Sequence, residues 1–129
     1  MDAQVAARRF LAAVAALDTE AIGTLLHPEV TWRNVPEPAA EGRQAVLAML
    51  TAVLAVSEEA SWDVVSEAYD GDVAWLERVD RFRIGGRELA VHCNGVFRFE
   101  PGTGLLVEVR DYADLHPWRV ELRQALGRS

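Results

Sequence analysis

The sequence predicts an α+β domain in which helices are kept apart from a curved, mostly antiparallel sheet. Three observations lead there. Up to about Val56, apolar residues recur mainly at helical spacing. From Ser61 the pattern changes to runs of strand character, separated by Asp70–Gly71, Gly85–Gly86 and Pro101–Gly104. Helices segregated from such a meander make an α+β fold rather than an alternating α/β one. The chain has 129 residues, enough for one domain around one core, so 1–129 is read as a single unit.

Residues 2–17 are Ala-rich with Phe10, Val14 and Leu17 at helical spacing. Asp18 is placed to cap a second short helix that runs through Leu26, with Glu20 in its first turn. His27–Pro28 ends it. Val30–Asn34 reads as a strand with Val30, Trp32 and Asn34 on one face, and Pro36, Glu37 and Pro38 make a loop. After Gly42, the residues Val46, Met49, Leu50 and Val53 form a helical stripe to about Val56. Four strands follow: Ser61–Tyr69, Val73–Ile84, Arg87–Phe99 with Gly95 as a bulge, and Leu105–Ala113. His116 and Pro117 read as the cap and first residue of a last helix, to about Leu126. A long sheet of this kind curves into a cone whose mouth is a pocket.

Composition narrows the function. The net charge is −7, which disfavours nucleic acid and anionic membrane surfaces as partners. No apolar run reaches the ~18–20 residues of a membrane helix. No secretory leader is apparent, and Cys93 is the only cysteine, which fits a reducing cytoplasm. All thirteen basic residues are Arg, so Schiff-base lysine chemistry is excluded. His27, His92 and His116 lack metal-ligand spacing, and there is no phosphate loop or nucleotide fingerprint, so neither metal nor cofactor is expected.

Polar residues on apolar strand faces are the informative ones. Side chains two apart share a face, so Arg78 and Asp80 point with Leu76 and Phe82. Asp111 likewise points with Val107, Val109 and Ala113. A buried ion pair seldom adds stability, so a pair kept on an apolar face points to chemistry. The bland readings are an edge strand wet on both faces, a turn-capping Asp111, a turn-forming Asn34 and a core Trp32. If all face inward, Asn34, Arg78, Asp80 and Asp111 meet in an apolar pocket lined by Trp32, Val53, Leu76, Phe82, Val91, Cys93, Val109 and Ala113. Two adjacent carboxyls cannot both ionise cheaply, and an Arg between them can bridge both, giving an acid and a base at one site. The Asn34 amide is suited to holding a water.

Four segments, in this order, resemble one known family: Trp32–Arg43 (WRNVPEPAAEGR), Glu77–Asp80 (ERVD), Gly95–Phe97 (GVF) and Arg110–Leu115 (RDYADL). Together they look like the limonene-1,2-epoxide hydrolase family, whose fold is the cone shared by nuclear transport factor 2 (NTF2) and SnoaL-like proteins. The resemblance implies one-step addition of water to a small apolar epoxide (cyclic, terpene-like or aryl), giving a vicinal diol without metal or cofactor. It implies Asp111 as base, Asn34 as water holder, Asp80 as acid, Arg78 as bridge, and a homodimer. Two positions depart from the family's pattern. Trp32 stands where Tyr is usual, and an indole N–H donates but cannot accept. Val109 stands where many members have Trp, which leaves that side of the pocket roomier. A SnoaL-like cyclase or isomerase, and a non-catalytic ligand-binding module, are the competing readings.

Overall fold

The computed structural model describes residues 1–128. The first helix, α1 (Ala3–Ala15), is capped by Asp2, whose carboxylate accepts from Val5 N at 2.9 Å. The second, α2 (Thr19–Leu25), is capped as expected by Asp18, accepting from Ala21 N at 3.0 Å. Strand β1 (Leu26–Val35) follows at once. The helix has ended before His27–Pro28, as expected, and that pair already lies within the strand. It occupies the irregular stretch between the pairing of Leu26 with Leu106 and that of Thr31 with Glu108, where proline's missing N–H breaks no ladder bond. A two-residue strand, β2 (Ala40–Glu41), pairs back on Thr31 and Trp32; it is too short to leave a periodic trace in sequence.

Helix α3 (Arg43–Leu54) precedes the long strands β3 (Glu59–Asp70), β4 (Val73–Ile84) and β5 (Arg87–Phe99), then β6 (Leu106–Tyr112) and helix α4 (His116–Ala125). The residue before α4 is Leu115, so His116 is the first helical residue and not its cap; Asp114 Oδ1 accepts from the His116 N–H at 3.2 Å. The six strands form one curled sheet in the order β2-β1-β6-β5-β4-β3. All neighbours are antiparallel except β1 and β6, which run parallel and bring Asn34 beside Asp111.

Helix α1 packs on the inner face of β3, β4 and β5, and α3 packs on β1. Phe10 and Val14 of α1, Ile22 of α2, Val46 of α3 and Val30 and Phe97 of the sheet are all buried between them. Strand β4 divides as its alternation demands: Leu76, Arg78, Asp80 and Phe82 are buried, while Glu77 and Arg81 are exposed. Val79 differs, being buried on the outer face between its register partners Asp63 and His92. Gly95 differs too. The β4–β5 register runs through it unbroken, and the register shifts lie elsewhere, in β3 between Val64 and Ser66 and in the β5–β6 pair at Arg98–Phe99, besides the one in β1. The helix over 3–15 carries only apolar or small residues inward, and no described helix is long and apolar enough to cross a membrane.

Candidate active site

Arg78 is the centre of the site. Its side chain is wholly out of solvent, and that of Asp80 is 8 % and of Asp111 9 % exposed. Strand alternation puts Arg78 and Asp80 on one face of β4, and β5 lies between them and Asp111 on β6. The guanidinium spans that gap. Nε donates to Asp80 Oδ1 and Nη2 to Asp80 Oδ2, both at 2.9 Å. Nη1 donates to Asp111 Oδ1 at 3.0 Å and Nη2 to Asp111 Oδ2 at 3.1 Å. Each carboxyl is gripped in a fork, and the two share Nη2. The Arg78 Cζ also lies 5.1 Å from the ring centroids of both Trp62 and Phe97. Those rings are held by Phe10 and Trp32 in a cluster with centroid separations of 5.8–6.1 Å.

Gly95 is what lets the fork close. It stands on β5 directly between Leu76 and Asp111, and any Cβ there would overlap Asp111 Oδ1 and Arg78 Nη1. A glycine inside a strand signals either a bulge or a close approach, and here it is the second.

Burial pushes the Asp80 carboxyl above the ordinary carboxylate range. The hydrogen bonds and charge of Arg78 offset part of that, Asp111 adds to it, and the Cys93 thiol opposes it. Burial also disfavours the Arg78 charge, but Asp111 and Asp80 outweigh it, so the guanidinium moves up and stays charged.

One cavity of about 440 Å³ borders Asn34, Asp80 and Asp111, a size suited to a small organic molecule. Two smaller surface grooves, of about 300 and 210 Å³, touch none of the three. The cavity is walled by Trp32 and Trp62, by Val53 and neighbours on α3, by Phe82 and Val91, and by α4. Of the residues expected from sequence to line it, Trp32, Val53, Phe82 and Val91 do so. Leu76, Cys93, Val109 and Ala113 do not: the first three are buried in the core and Ala113 packs against it. Leu76, Cys93 and Val109 are buried on the sheet, but in the packed core and not at the cavity wall. Asn34 borders the cavity beside Asp111, and no hydrogen bond within the described residues engages its amide.

The contribution of α4 was not anticipated. Leu115, Trp118, Arg119, Leu122 and Leu126 all face the cavity. The near-fourfold spacing of Trp118, Leu122 and Leu126 was the available signal. None of the α4 residues is fully buried, so the helix is a cover rather than a core element. It is fastened across the mouth by Arg119, which donates both Nη groups to Glu37 at 2.6 and 2.7 Å, and by the Trp118 ring, 5.8 Å from Phe82. The hydrogen bond from Arg119 holds the Glu37 carboxyl below its usual range. Among the described residues no group of three or more His, Cys, Asp or Glu is placed to hold a metal ion.

A curled sheet and its helices enclosing one apolar cavity, with an Asp–Arg–Asp cluster in its wall, define a cup-shaped α+β domain of the NTF2-like type. Residues 7–109 match the family model of the SnoaL-like domain, and the chain belongs to that family. Solved structures agree on the fold. An epoxide hydrolase of the limonene-epoxide-hydrolase-like type from M. tuberculosis superposes with a TM-score of 0.78 at 22% identity, over 97% of this chain and 92% of that one. A provisionally described SnoaL-like polyketide cyclase from Shewanella denitrificans OS-217 gives 0.81 at 15% identity, over 94% and 96%. An NTF2-like protein of unknown function from Cytophaga hutchinsonii gives 0.71 at 14% identity, over 91% and 94%. No curated protein matches in sequence.

Two outcomes follow from this geometry. Replacing Arg78 by Met strands two buried carboxyls without their counter-charge, a loss of about 3–5 kcal/mol. A carboxyl raised by burial, as that of Asp80 is, gives full stability below its unfolded range and loses it as pH rises through its folded value. The deficit in denaturant unfolding should therefore be large at neutral pH and shrink below about pH 4. A deficit that does not vary with pH would contradict this. Gly95→Ala should fold yet disrupt the Arg78–Asp111 fork, visible as altered side-chain resonances of both residues; unchanged resonances would show that the strand can yield.

Proposed function

We propose that this protein is a cofactor-independent epoxide hydrolase that adds water in one step to a small apolar epoxide, cyclic, terpene-like or aryl. The observation that carries the reading is the single guanidinium gripping both Asp80 and Asp111 at the wall of one apolar cavity. Asp80, pushed upward by burial, retains a proton and is the acid. Asp111, beside Asn34 in the β1–β6 register, is the base, and Asn34 helps hold the water between them.

In the reaction the water oxygen bonds to one epoxide carbon as that carbon's own bond to the epoxide oxygen breaks on its far side. Asp111 takes a water proton while Asp80 gives its proton to the departing oxygen, so neither hydroxide nor alkoxide is ever free. The total charge on the Arg78 cluster does not change during the step. One proton passing from Asp111 back to Asp80 resets the site. Arg78 holds both carboxyls oriented throughout and touches neither reacting carbon. The cavity walls of Trp32, Val53, Phe82, Val91 and α4 bind an apolar body and exclude bulk water.

Trp32 favours a second reading, a cyclase or isomerase of the SnoaL-like kind. Its indole N–H can donate to a water but not accept from it, which weakens the grip on an attacking water and leaves room for an internal hydroxyl as nucleophile. An epoxy-alcohol substrate separates the two: diol supports the hydrolase, a cyclic ether the cyclase. The proposal also includes cytoplasmic residence and a homodimer; sedimentation as a monomer alone would remove the latter.

The decisive assay measures diol formation from terpene, cycloalkene and styrene-type oxides. Asp80→Asn and Asp111→Asn should each lower kcat by several orders of magnitude with thermal unfolding still cooperative. In a single turnover in ¹⁸O water, label should appear in the diol and none in the protein. Near-normal turnover by either variant, or label in Asp111, rejects the one-step mechanism.

A further inference from the structure

We infer that Cys93 is a positioning residue for the acid: its thiol donates to Asp80 Oδ2 and thereby sets how readily that carboxyl releases its proton. Its catalytic meaning rests on the hydrolase reading; the hydrogen bond rests on geometry alone.

Cys93 pairs with Arg78 across the β4–β5 ladder, one inward position from Val91, the partner of Asp80. That register brings Sγ to 3.4 Å from Asp80 Oδ2, the oxygen that also receives Arg78 Nη2. The residue is 5 % exposed and does not border the cavity, so the thiol touches the acid and not the space open to substrate. A cysteine serving only as core filler would need no polar partner.

The direction of the hydrogen bond is fixed by charge. A thiolate here would be a third anion beside Asp80 and Asp111, and burial pushes the thiol well above its ordinary range. It therefore stays S–H, and toward an ionised Asp80 it can only donate. A donor to the ionised form favours that form, so the thiol makes Asp80 a stronger acid as its proton moves to the epoxide oxygen. The S–H bond stays intact throughout. The other charged groups around Asp80 are Arg78 on its own strand and Asp111 on β6. From β3 comes only Trp62, which carries no charge; at the cavity wall stand Arg119 of α4, already paired with Glu37, and Arg128 just beyond α4. None of these is changed by altering Cys93.

The test titrates ¹³C-carboxyl-labelled aspartate in the full chain by NMR, for wild type and for Cys93→Ala, Cys93→Val and Cys93→Ser. Diol formation is measured across pH in parallel. With the donor gone, the Asp80 midpoint should rise by about half to one pH unit in the Ala and Val variants. The alkaline limb of kcat/KM should rise with it, because an acid that holds its proton longer works to higher pH. Ser, which keeps a donor, should stay near or below wild type. Val controls for packing, since it fills the space without donating. An Asp80 midpoint unmoved in both Ala and Val, or moved equally in Ser, overturns the assignment. Absence of diol from every protein would instead strike the hydrolase reading, and the NMR midpoints would still decide the role of Cys93.

Discussion

The site depends on one buried guanidinium that has nowhere else to put its charge. Taking an arginine out of water carries a penalty of several kcal/mol, which only well-made hydrogen bonds and counter-charge can offset. Arg78 has both, with four hydrogen bonds to two carboxyls, and two aromatic rings lie close to it besides. The arrangement binds distant parts of the chain to one another. Phe10 of α1 buttresses the rings, β3 supplies Trp62, β5 supplies Phe97 and the missing side chain at Gly95, and β6 supplies Asp111. A helix formed by the first fifteen residues thus helps to place a carboxyl a hundred positions later.

Charge balance connects this architecture to reactivity. One guanidinium neutralises one carboxylate, and a second ionised carboxylate at the same site would be an uncompensated buried charge. On the proposed reading the pair holds one proton, and burial, which pushes the Asp80 carboxyl up, makes Asp80 its holder. That is the state an acid–base pair must occupy before it meets substrate. The fold reaches it through burial and hydrogen bonding that also serve stability, so structure and chemistry are not separable at Arg78.

Much of this was legible in the residues. Strands β4 and β5 lie where the alternation and the glycine turns place them, because Gly71, Gly85 and Gly86 take at no steric cost the positive φ that tight hairpin turns require. The inward direction of Arg78, Asp80 and Asp111 follows from period-two geometry alone. Other features were not legible, each for a physical reason. Facing inward is not the same as facing the cavity: Leu76, Cys93 and Val109 are buried in the core and do not reach the cavity wall. Gly95 was ambiguous because a strand glycine reads alike for a bulge and for a close approach. Helix α4 was seen as an element but not as a wall of the cavity. Its polar composition hides an apolar stripe that matters only once the cup beneath it exists. The parallel pairing of β1 with β6, which sets Asn34 beside Asp111, is a long-range contact with no local signature.

The most direct measurement of the shared-proton state is neutron diffraction from a deuterated crystal grown near neutral pH. One deuteron on the carboxyl pair, carried by Asp80, with Asp111 bare and Arg78 fully deuterated, is the predicted result. Two bare carboxylates around Arg78, or a deuteron on each, would contradict it.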